Sequence, residues 1–308
     1  MVSDNLVWTS HHLYLMGSGD RAQEVFGVTG DALVCDLIAP TVADLVARGL
    51  IDHWFFIRYR DERGPHLRLR LAANRAHRGE VEDQLRRRCD EYGPGLELCA
   101  AEYEPEYGRY GGEHLIGFSE QIFASSSRLA LLALSELRRT EGDPNVRYGM
   151  TVAGLLVLLG GLLGNLDPGD VRTLLVRYAD ATLAFRHPER TVAQTREEFW
   201  AVAKGQTRLH ASLGPVFSAA WSAPRTLPEG YREEAITLAG LRSALTHAAG
   251  ESGGHVRGRN VSSGVEAVIR LTGSHLHMHM NRAGIVPAHE PLVVLLAAQI
   301  LERARDAA

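Results

Sequence analysis

The spacing of apolar residues changes near residue 112, and this change limits the folds that the chain can adopt. Before it, apolar residues alternate or form short runs between turn residues, as in strands, and two segments follow a helical period. The strand-like runs cover residues 12–16, 54–60 and 66–71, and the helical segments cover 31–48 and 75–92. We therefore expect an α+β lobe with an antiparallel sheet over residues 1–112.

After residue 112, apolar residues recur every three or four positions, which is typical of helices with one buried face. These patterns cover residues 118–137, 150–163, 168–185, 191–203, 235–248 and 291–304. Residues 249–264 instead contain five glycines and almost no apolar side chains, which predicts a mobile loop. The expected fold class is α+β, with an N-terminal lobe of antiparallel sheet and helices and a mainly helical lobe over residues 113–308. Together they form one compact unit, residues 1–308.

Positive and negative charges nearly balance, since 33 Lys and Arg residues face 37 Asp and Glu residues and the formal net charge is −4. Nucleic-acid-binding domains usually carry a basic patch, so we expect no direct nucleic-acid binding. Three cysteines without CxxC spacing argue against a disulfide framework and favour the cytoplasm. The N-terminus does not read as a secretory signal. The most apolar stretch, residues 152–163, is shorter than the roughly 20 residues of a membrane helix, so we expect a buried helix and no membrane association.

The segment WFFIRYRDERGPHLRLRL, residues 54–71, contains two strand-like runs joined by a Gly-Pro sequence that is typical of a hairpin connection. In the second run, a period of two separates three leucines on one face from a histidine and two arginines on the other. The leucines are Leu67, Leu69 and Leu71, and the polar row is His66, Arg68 and Arg70. We expect Arg58 and Arg60 to lie across from the polar row. The row is either an exposed sheet face or part of a site.

The segment YEPEYGRYGG, residues 103–112, combines charge, aromatic rings and glycine. Glycines allow a backbone to approach another group closely, and Glu106 and Arg109 are near enough in sequence to serve one site. Taken alone, a solvated turn explains the segment equally well.

The segment SHLHMHMNR, residues 274–282, has three alternating histidines. If Ser274 caps a helix that runs to Arg282, His275 and His279 share one face while His277 points elsewhere. The pair could supply two metal ligands, but no third ligand and no HExxH or CxxC motif accompanies it, so we expect no metal site. A structural role for all three histidines and a catalytic role for His277 both remain open.

Taken together, the three motifs resemble the C-terminal elimination domain of class I lantibiotic dehydratases and the stand-alone thiopeptide-type bacteriocin biosynthesis proteins. The resemblance spans about residues 50–305. In that family, a partner protein uses glutamyl-tRNA to esterify Ser or Thr of a ribosomally made precursor peptide. The elimination domain then expels glutamate and leaves dehydroalanine or dehydrobutyrine. The resemblance therefore implies a lyase without a cofactor, with the precursor peptide and a glutamyl-tRNA-dependent glutamylation protein as partners.

Carried over by motif, the resemblance also implies which residues act. The catalytic residues are Arg68, Arg70, Glu106, Arg109 and His277, and the substrate-binding residues are Arg58, His66, Tyr110 and Asn281. The chemistry fits these types, because a histidine titrates near neutrality and can carry the Cα proton. Arginines stay protonated and can hold a carboxylate or stabilise developing negative charge. Glu106 would orient either an arginine or the histidine.

Two other functions stay open within this resemblance. The same fold serves thiopeptide pyridine synthases, which join two dehydroalanines by a formal [4+2] cycloaddition with macrocyclisation and, as the resemblance implies, do not keep the full arginine and histidine set. A non-catalytic module that binds the precursor peptide would be expected to lose its ionisable site residues. Because this sequence keeps the set, elimination is favoured.

Overall fold

A four-stranded antiparallel sheet forms the N-terminal part of the protein, with strand order β2-β3-β1-β4. The computed structural model describes residues 5–16, 24–186, 188–252, 255–256, 259–260 and 263–306. The strands are β1 (Leu6–Leu15), β2 (Ile51–Asp61), β3 (Gly64–Asn74) and β4 (Leu96–Ala101). Their combination with helices in one chain confirms the predicted α+β class.

Four helical segments accompany the sheet. Between β1 and β2 lie α1 (Val28–Ala32), a π-helical segment (Leu33–Ile38) and α2 (Ala39–Ala47), and α3 (Arg78–Tyr92) connects β3 to β4. Apolar side chains of these helices pack with Leu67, Leu69 and Leu71 of β3 in one core. Because the other strand face is polar, the alternation seen in the sequence is the alternation between the two faces of the sheet.

The second lobe is helical, as predicted. Its helices are α4 (Ile116–Arg139), α5 (Pro144–Leu163), α6 (Pro168–Arg186), α7 (Val192–Gly205), α8 (Thr207–Ser222), α9 (Glu229–Ser252), α10 (Gly264–Arg282) and α11 (Glu290–Asp306). Short 3₁₀ turns lie at Glu24–Phe26, Arg75–His77, Pro224–Thr226 and Pro287–His289. A large second core fills this lobe and extends to Phe55 of the sheet.

Helix α5 lies at the centre of the helical lobe. Among the described residues it is the one helix that is long and apolar enough to cross a membrane, and 78% of its apolar window is buried inside the protein. Every residue from 152 to 163 is buried, which confirms the predicted core helix.

The structure differs from the predicted elements at five places. Strand β1 begins at Leu6, six residues before the predicted run over residues 12–16. Strand β4 was not predicted, because LELCAA does not alternate clearly between apolar and polar residues. Helix α8 was also missed, since Gly214 and Pro215 lie inside it. Helix α9 extends to Ser252, and the short strands β5 (His255–Val256) and β6 (Arg259–Asn260) pair within the predicted loop. Helix α10 begins ten residues before Ser274, at Gly264, where the Ser263 side chain caps it by accepting from the Glu266 N–H.

The β2–β3 hairpin fixes which side chains share a face. Asp61 pairs with Gly64, so the connection has two residues, and the register places Phe55 opposite Arg70 and Ile57 opposite Arg68. Directly paired residues point to the same face. Arg58 is opposite Leu67, and Arg60 is opposite Pro65. The expectation that Arg58 and Arg60 lie across from the polar row is therefore wrong, and apolar or aromatic residues occupy those positions.

Candidate functional site

The three histidines of α10 point to three different surroundings. His275 packs against the rings of Tyr110 and Phe123, with centroid distances of 5.5 and 5.1 Å. The His279 ring lies 3.2 Å from Ser126 Oγ through Nδ1 and 3.3 Å from the Thr151 carbonyl oxygen through Nε2. Burial lowers the pKa of His275 to about 3 and that of His279 to about 4. These two histidines are therefore neutral core residues.

His277 is half-buried and forms a pair with Glu290 at the start of α11. Its Nδ1 lies 2.9 Å from Glu290 Oε1, and the other carboxylate oxygen accepts a hydrogen bond of 3.2 Å from the Tyr178 hydroxyl. Glu290 is only 2% exposed. Burial, reinforced by Glu290, raises the pKa of the Tyr178 hydroxyl. A carboxylate held in this way fixes the ring orientation and the tautomer of its histidine.

Arg109 lies beside the same stretch of α10. Its Nε donates to Ser274 Oγ over 3.3 Å, and its Nη1 is 3.3 Å from Glu106 Oε2. Ser274 precedes His277 by one helical turn, so the guanidinium and the imidazole border one region. Of the two roles open for Glu106, the structure shows contact with the arginine, while Glu290 contacts the histidine.

Two glycines shape the segment that carries Arg109. Gly111 and Gly112 adopt φ angles of +87° and +79°, a region that side-chain-bearing residues rarely occupy. This turn places Tyr110 in the core, where its ring meets Phe123 edge to face at 4.9 Å. The sequence predicted that the backbone approaches another group closely at these glycines. The structure shows that they form the turn that brings the Tyr110 ring against Phe123.

The outer end of the polar row on β3 is a stacked cluster. The Arg68 guanidinium lies 3.4 Å from the centre of the Tyr59 ring, and its Nε donates to His66 Nε2 over 3.3 Å. His66 is fully buried and stacks on His12 with a centroid distance of 4.7 Å. Burial lowers the pKa of His66, and burial together with His66 lowers the pKa of His12 to about 4.

The inner end of the row is Arg70, which faces Arg282 across a group of aromatic rings. Arg70 is 6% exposed and lies 5.7 Å from the Tyr103 ring centre, whereas Arg282 is fully buried and lies 4.9 Å from the Phe123 ring centre. The Tyr103 hydroxyl donates to Glu120 over 2.8 Å. Burial lowers the pKa of Arg70 to about 10 and that of Arg282 to about 9, so both remain cationic at neutral pH.

Arg58 and Asn281, which were predicted to bind substrate, connect the two lobes. Arg58 donates from Nε, Nη1 and Nη2 to the Arg282 carbonyl, the Val25 carbonyl and the Asp31 carboxylate. Asn281 bonds both backbone groups of Arg58, each over 2.9 Å. The polar groups of these side chains are thus bonded within the protein, and substrate binding by Arg58 and Asn281 stays a prediction. Sequence reasoning missed this because the partners are up to 224 residues away.

The structure thus divides the predicted site into two regions. In the first, Arg109 contacts Glu106 and Ser274, while His277 contacts Glu290, whose partner Tyr178 also lies within the electrostatic influence of Arg109. Ser274, Glu290 and Tyr178 were not predicted in this role. Arg68, Arg70 and His66 lie on the sheet. No hydrogen bond, ion pair or ring contact within the described ranges joins Arg68 or Arg70 to His277. The sequence alone indicates for Glu290 only that an acidic residue in the first turn of α11 interacts favourably with the helix dipole.

One group of side chains could in principle hold a metal ion. His12, Asp61 and His66 place potential ligand atoms within 4.8 Å of one another. Arg68 donates to His66 Nε2, and the Tyr14 hydroxyl donates to Asp61 Oδ2 over 2.7 Å, so protein groups already use part of this set. A guanidinium at the ring nitrogen would also repel a cation. The donor set therefore fits a hydrogen-bonded cluster better than a metal centre.

Comparison with known proteins identifies the family. The family profile described as lantibiotic biosynthesis dehydratase C-term matches residues 8–301. The fold is similar to TsrL, with a TM-score of 0.71 and 20% identity over 98% of this chain and 96% of that one. The pyridine synthase TbtD from thiomuracin biosynthesis gives a TM-score of 0.65 and 20% identity, covering 98% and 99%.

A larger protein contains the same fold as one part. The tRNA-dependent lantibiotic dehydratase MibB from Microbispora sp. 107891 gives a TM-score of 0.60 and 22% identity over all of this chain and 29% of MibB. At identities below 25%, these three likenesses establish the fold alone. No curated protein sequence matches the chain.

Proposed function

Because the chain belongs to the lantibiotic biosynthesis dehydratase C-terminal family, we propose that it eliminates glutamate from glutamylated Ser or Thr residues of a ribosomally made precursor peptide. A separate glutamyl-tRNA-dependent protein would supply the ester. The observation that carries this proposal is the half-buried His277, held by the buried Glu290 beside the Arg109 guanidinium. This arrangement combines a proton carrier with a fixed positive charge.

The His277–Glu290 contact suits a base. With Nδ1–H donating to the carboxylate, Nε2 carries the lone pair and can take the Cα proton of the esterified residue. The electron pair of the Cα–H bond forms the Cα=Cβ double bond, the Cβ–O bond breaks, and glutamate leaves as a carboxylate. The proton stays on the imidazole until it passes to solvent or product.

Arg109 suits the second requirement of the reaction. Abstraction of the Cα proton places negative charge on the neighbouring amide oxygen, and a preorganised cation stabilises that charge. Its contacts with Glu106 and Ser274 hold the guanidinium at the His277 region. Arg68 and Arg70 lie on the sheet, and neither forms a hydrogen bond, ion pair or ring contact with His277 or Glu290 among the described residues, so this step is assigned to Arg109.

Reconstitution with the glutamylating partner, glutamyl-tRNA and precursor peptide tests the proposal. Wild type should give peptide lighter by one water per modified site. His277→Ala should accumulate peptide heavier by one glutamyl unit per site, because glutamylation proceeds without elimination. His247→Ala is the matched control, since that histidine is exposed on α9 and contacts only Glu251 among the ion pairs of the described residues. Intact glutamyl esters after incubation with wild type would overturn the proposal.

A second candidate is the formal [4+2] cycloaddition of two dehydroalanines. One observation favours this function: the fold is similar to that of the pyridine synthase TbtD over 98% of this chain and 99% of that one. A substrate that already contains dehydroalanines distinguishes the two functions. Elimination predicts that this peptide is unchanged, whereas cycloaddition predicts a ring-closed product. Binding of the precursor without any change of mass, in both assays, would indicate the non-catalytic module.

A further inference from the structure

A cleft of about 670 Å³ lies where strand β4 ends beside β1. Its lining includes part of β1, the first turns of α3 and the segment that follows β4. The volume falls in the range of about 300–1,000 Å³ that is typical of ligand pockets. None of the residues proposed to act in elimination belongs to β1 or α3.

Three consecutive residues of this cleft carry buried polar atoms without partners. Thr9 Oγ1, Ser10 Oγ and both ring nitrogens of His11 have no hydrogen-bond partner among the described residues. The exposed fractions of the three residues are 2%, 4% and 5%. Buried polar groups are normally hydrogen-bonded, and each exception needs an explanation. A ligand that supplies the missing partners explains why the unpaired groups line a cleft.

The charged side chains nearest to His11 can move aside. Burial lowers the pKa of His11, and Glu82 and Arg78 of α3, which also line the cleft, shift it in opposite directions. These two residues form an ion pair over 2.8 Å with side chains that are 32% and 59% exposed. Exposed side chains change rotamer within picoseconds to nanoseconds. A ligand can therefore displace this pair and reach the ring of His11 and the hydroxyl of Thr9.

The backbone of β1 is also open at this point. β1 pairs with β3 from Leu6 to Tyr14, but with β4 only from Ser10 to Leu15. In the part of the chain that the structure describes, the segment after β4 makes no backbone hydrogen bond with β1. The residues before Ser10 therefore have a strand neighbour on one side only. Such an edge offers N–H and C=O groups to the main chain of a peptide.

Charge and shape narrow the class of ligand. Glu82 and Glu102 line the cleft together with one arginine, Arg78, which already pairs with Glu82. An anionic group such as the glutamyl carboxylate is therefore disfavoured here. The hydroxyls and the neutral imidazole each offer a donor and an acceptor, which match the two groups of a peptide amide. The rings of Trp8 and Tyr103, with centroids 5.1 Å apart, add an apolar wall.

The cleft leads towards the proposed reaction centre. Tyr107 lines it, and Arg109 follows two residues later in the same segment. Two residues of chain span at most roughly 7 Å, so the backbone of Tyr107 lies within that distance of the backbone of Arg109. An extended peptide rises about 3.3 Å per residue. A peptide residue in the cleft is therefore about two to four positions from a residue that reacts beside Arg109.

We propose that this cleft binds a short extended segment of the precursor peptide next to the Ser or Thr that reacts. The identity of the peptide rests on the proposed function. Thr9 and His11 bond the peptide main chain, and Glu82 and Glu102 exclude acidic side chains. The cleft thereby determines which residues are accepted about two to four positions from a modified site.

Variants of Thr9 provide the first test, because they change the hydroxyl and little else. The probe is a fluorescein-labelled segment of nine residues from the precursor, centred on an unmodified Ser, and fluorescence anisotropy measures its affinity. Thr9→Val should weaken binding by about 5- to 10-fold, as expected for one lost hydrogen bond. Thr9→Ser keeps the hydroxyl and should bind the probe like wild type.

Thermal stability separates a ligand-binding role of Thr9 from a structural one. Thr9→Val should raise the melting temperature of the free protein, because an apolar group replaces an unpaired polar one. A hydroxyl that only supports the fold predicts a lower melting temperature and unchanged affinity. That result, or no binding of the probe by wild type, would overturn the proposal.

Changes in the peptide provide an independent test. In one series, each position other than the central Ser carries either Gln or Glu. Glu should weaken binding relative to Gln only at positions two to four on one side of the Ser, and the double variant Glu82→Gln/Glu102→Gln should remove this difference. Equal weakening by Glu at every position would show only repulsion by the net charge of −4 and would contradict the cleft.

In a second series, N-methylation removes one amide N–H at a time. At positions two to four it should weaken binding to wild type more than binding to Thr9→Val, because the variant has already lost the shared hydrogen bond. Equal effects on both proteins at every position would show that Thr9 does not contact the peptide main chain.

The two proposals fail separately. Position-dependent binding of the probe, without elimination of preformed glutamyl esters, would retain the cleft and reject the proposed reaction. Elimination by Thr9→Val at the wild-type KM would retain the reaction and reject the cleft. If Thr9→Val bound the probe normally but lost affinity for the glutamylation protein, the cleft would belong to a protein partner instead.

Discussion

Nδ1 of His277 lies 2.9 Å from Oε1 of Glu290, the almost completely buried first residue of α11. Glu290→Gln keeps the shape of this contact but removes its charge and permits the wrong imidazole tautomer. We expect elimination to slow by roughly 10²-fold or more, in the range of general-base effects, while the fold stays intact. Single-turnover rates on preformed glutamyl ester measure this. Glu302→Gln, on the same helix and paired with Arg172, is the control that should retain the wild-type rate.

The buried ion network around Asp31 predicts a large effect on stability. Asp31 pairs with Arg58 over 2.8 Å and with Arg147. Asp31→Asn would leave the fully buried Arg58 without its carboxylate, which typically costs about 3–5 kcal/mol of unfolding free energy. Urea denaturation measures the loss. The double variant Asp31→Leu/Arg58→Met should recover part of it, and equal or greater loss in the double variant would contradict the explanation.

The neutral buried histidines predict a specific acid sensitivity. The pKa of His279 falls from 6.5 to about 4 on folding, mainly through burial. The unfolded chain therefore binds the proton first, so this contribution to stability is complete above about pH 6.5 and is lost progressively towards pH 4. In His279→Gln, the slope of unfolding free energy against pH in this window should decrease by up to about 1.4 kcal/mol per pH unit. An unchanged slope, measured by urea denaturation at several pH values, would show that His279 titrates normally.

The turn after Arg109 predicts that one glycine is needed for both folding and activity. A Cβ at Gly111 would lie 2.6 Å from Leu115 Cδ1, and the φ angle of +87° is strained for any other residue. Gly111→Ala should lower stability by roughly 1–3 kcal/mol and slow elimination by displacing Arg109. Gly108→Ala is the matched control, because nothing lies within 4 Å of its added Cβ. Thermal melts and elimination rates should separate the two variants.

Reaction without a metal is a further expectation. Exhaustive chelation should leave elimination unchanged, because Arg68 and Tyr14 already bond to the His12, Asp61 and His66 group. Zinc content measured before and after chelation, in wild type and His12→Gln, provides the check. Stoichiometric zinc in wild type, lost in the variant together with activity, would identify a metal site there.

The sequence predicted the strands and helices in which apolar residues recur at a regular period. The predictions failed where contacts between residues far apart in the sequence determine the position of a side chain. The alternation in HLRLR correctly separated Leu67 and Leu69 from Arg68 and Arg70, since each strand face meets a different environment. The same approach misplaced Arg58, because its face depends on the two-residue turn. From the sequence, Glu290 could be assigned only a role at a helix terminus. Its contacts with His277 and Tyr178 could not be predicted, because the three residues belong to three different helices.

Motifs identified the types of site residues but not their grouping. Arg109 and His277 could be paired only once α10 was known to place Ser274 under the guanidinium. Arg282, the last residue of the HMHMNR motif, gave no sign of its burial, because arginine at a helix C-terminus is ordinarily exposed.

The amide of Asn281 occupies both outward backbone groups of Arg58 on β2, which is an edge strand of the sheet. During synthesis, Arg58 is made 223 residues before Asn281. At ordinary translation rates of about 5–20 residues per second, this stretch of strand remains uncovered for roughly 10–45 s. An uncovered edge can pair with a strand of another chain. The nascent protein is therefore most prone to aggregation in the interval before α10 leaves the ribosome, even though its sheet is already complete.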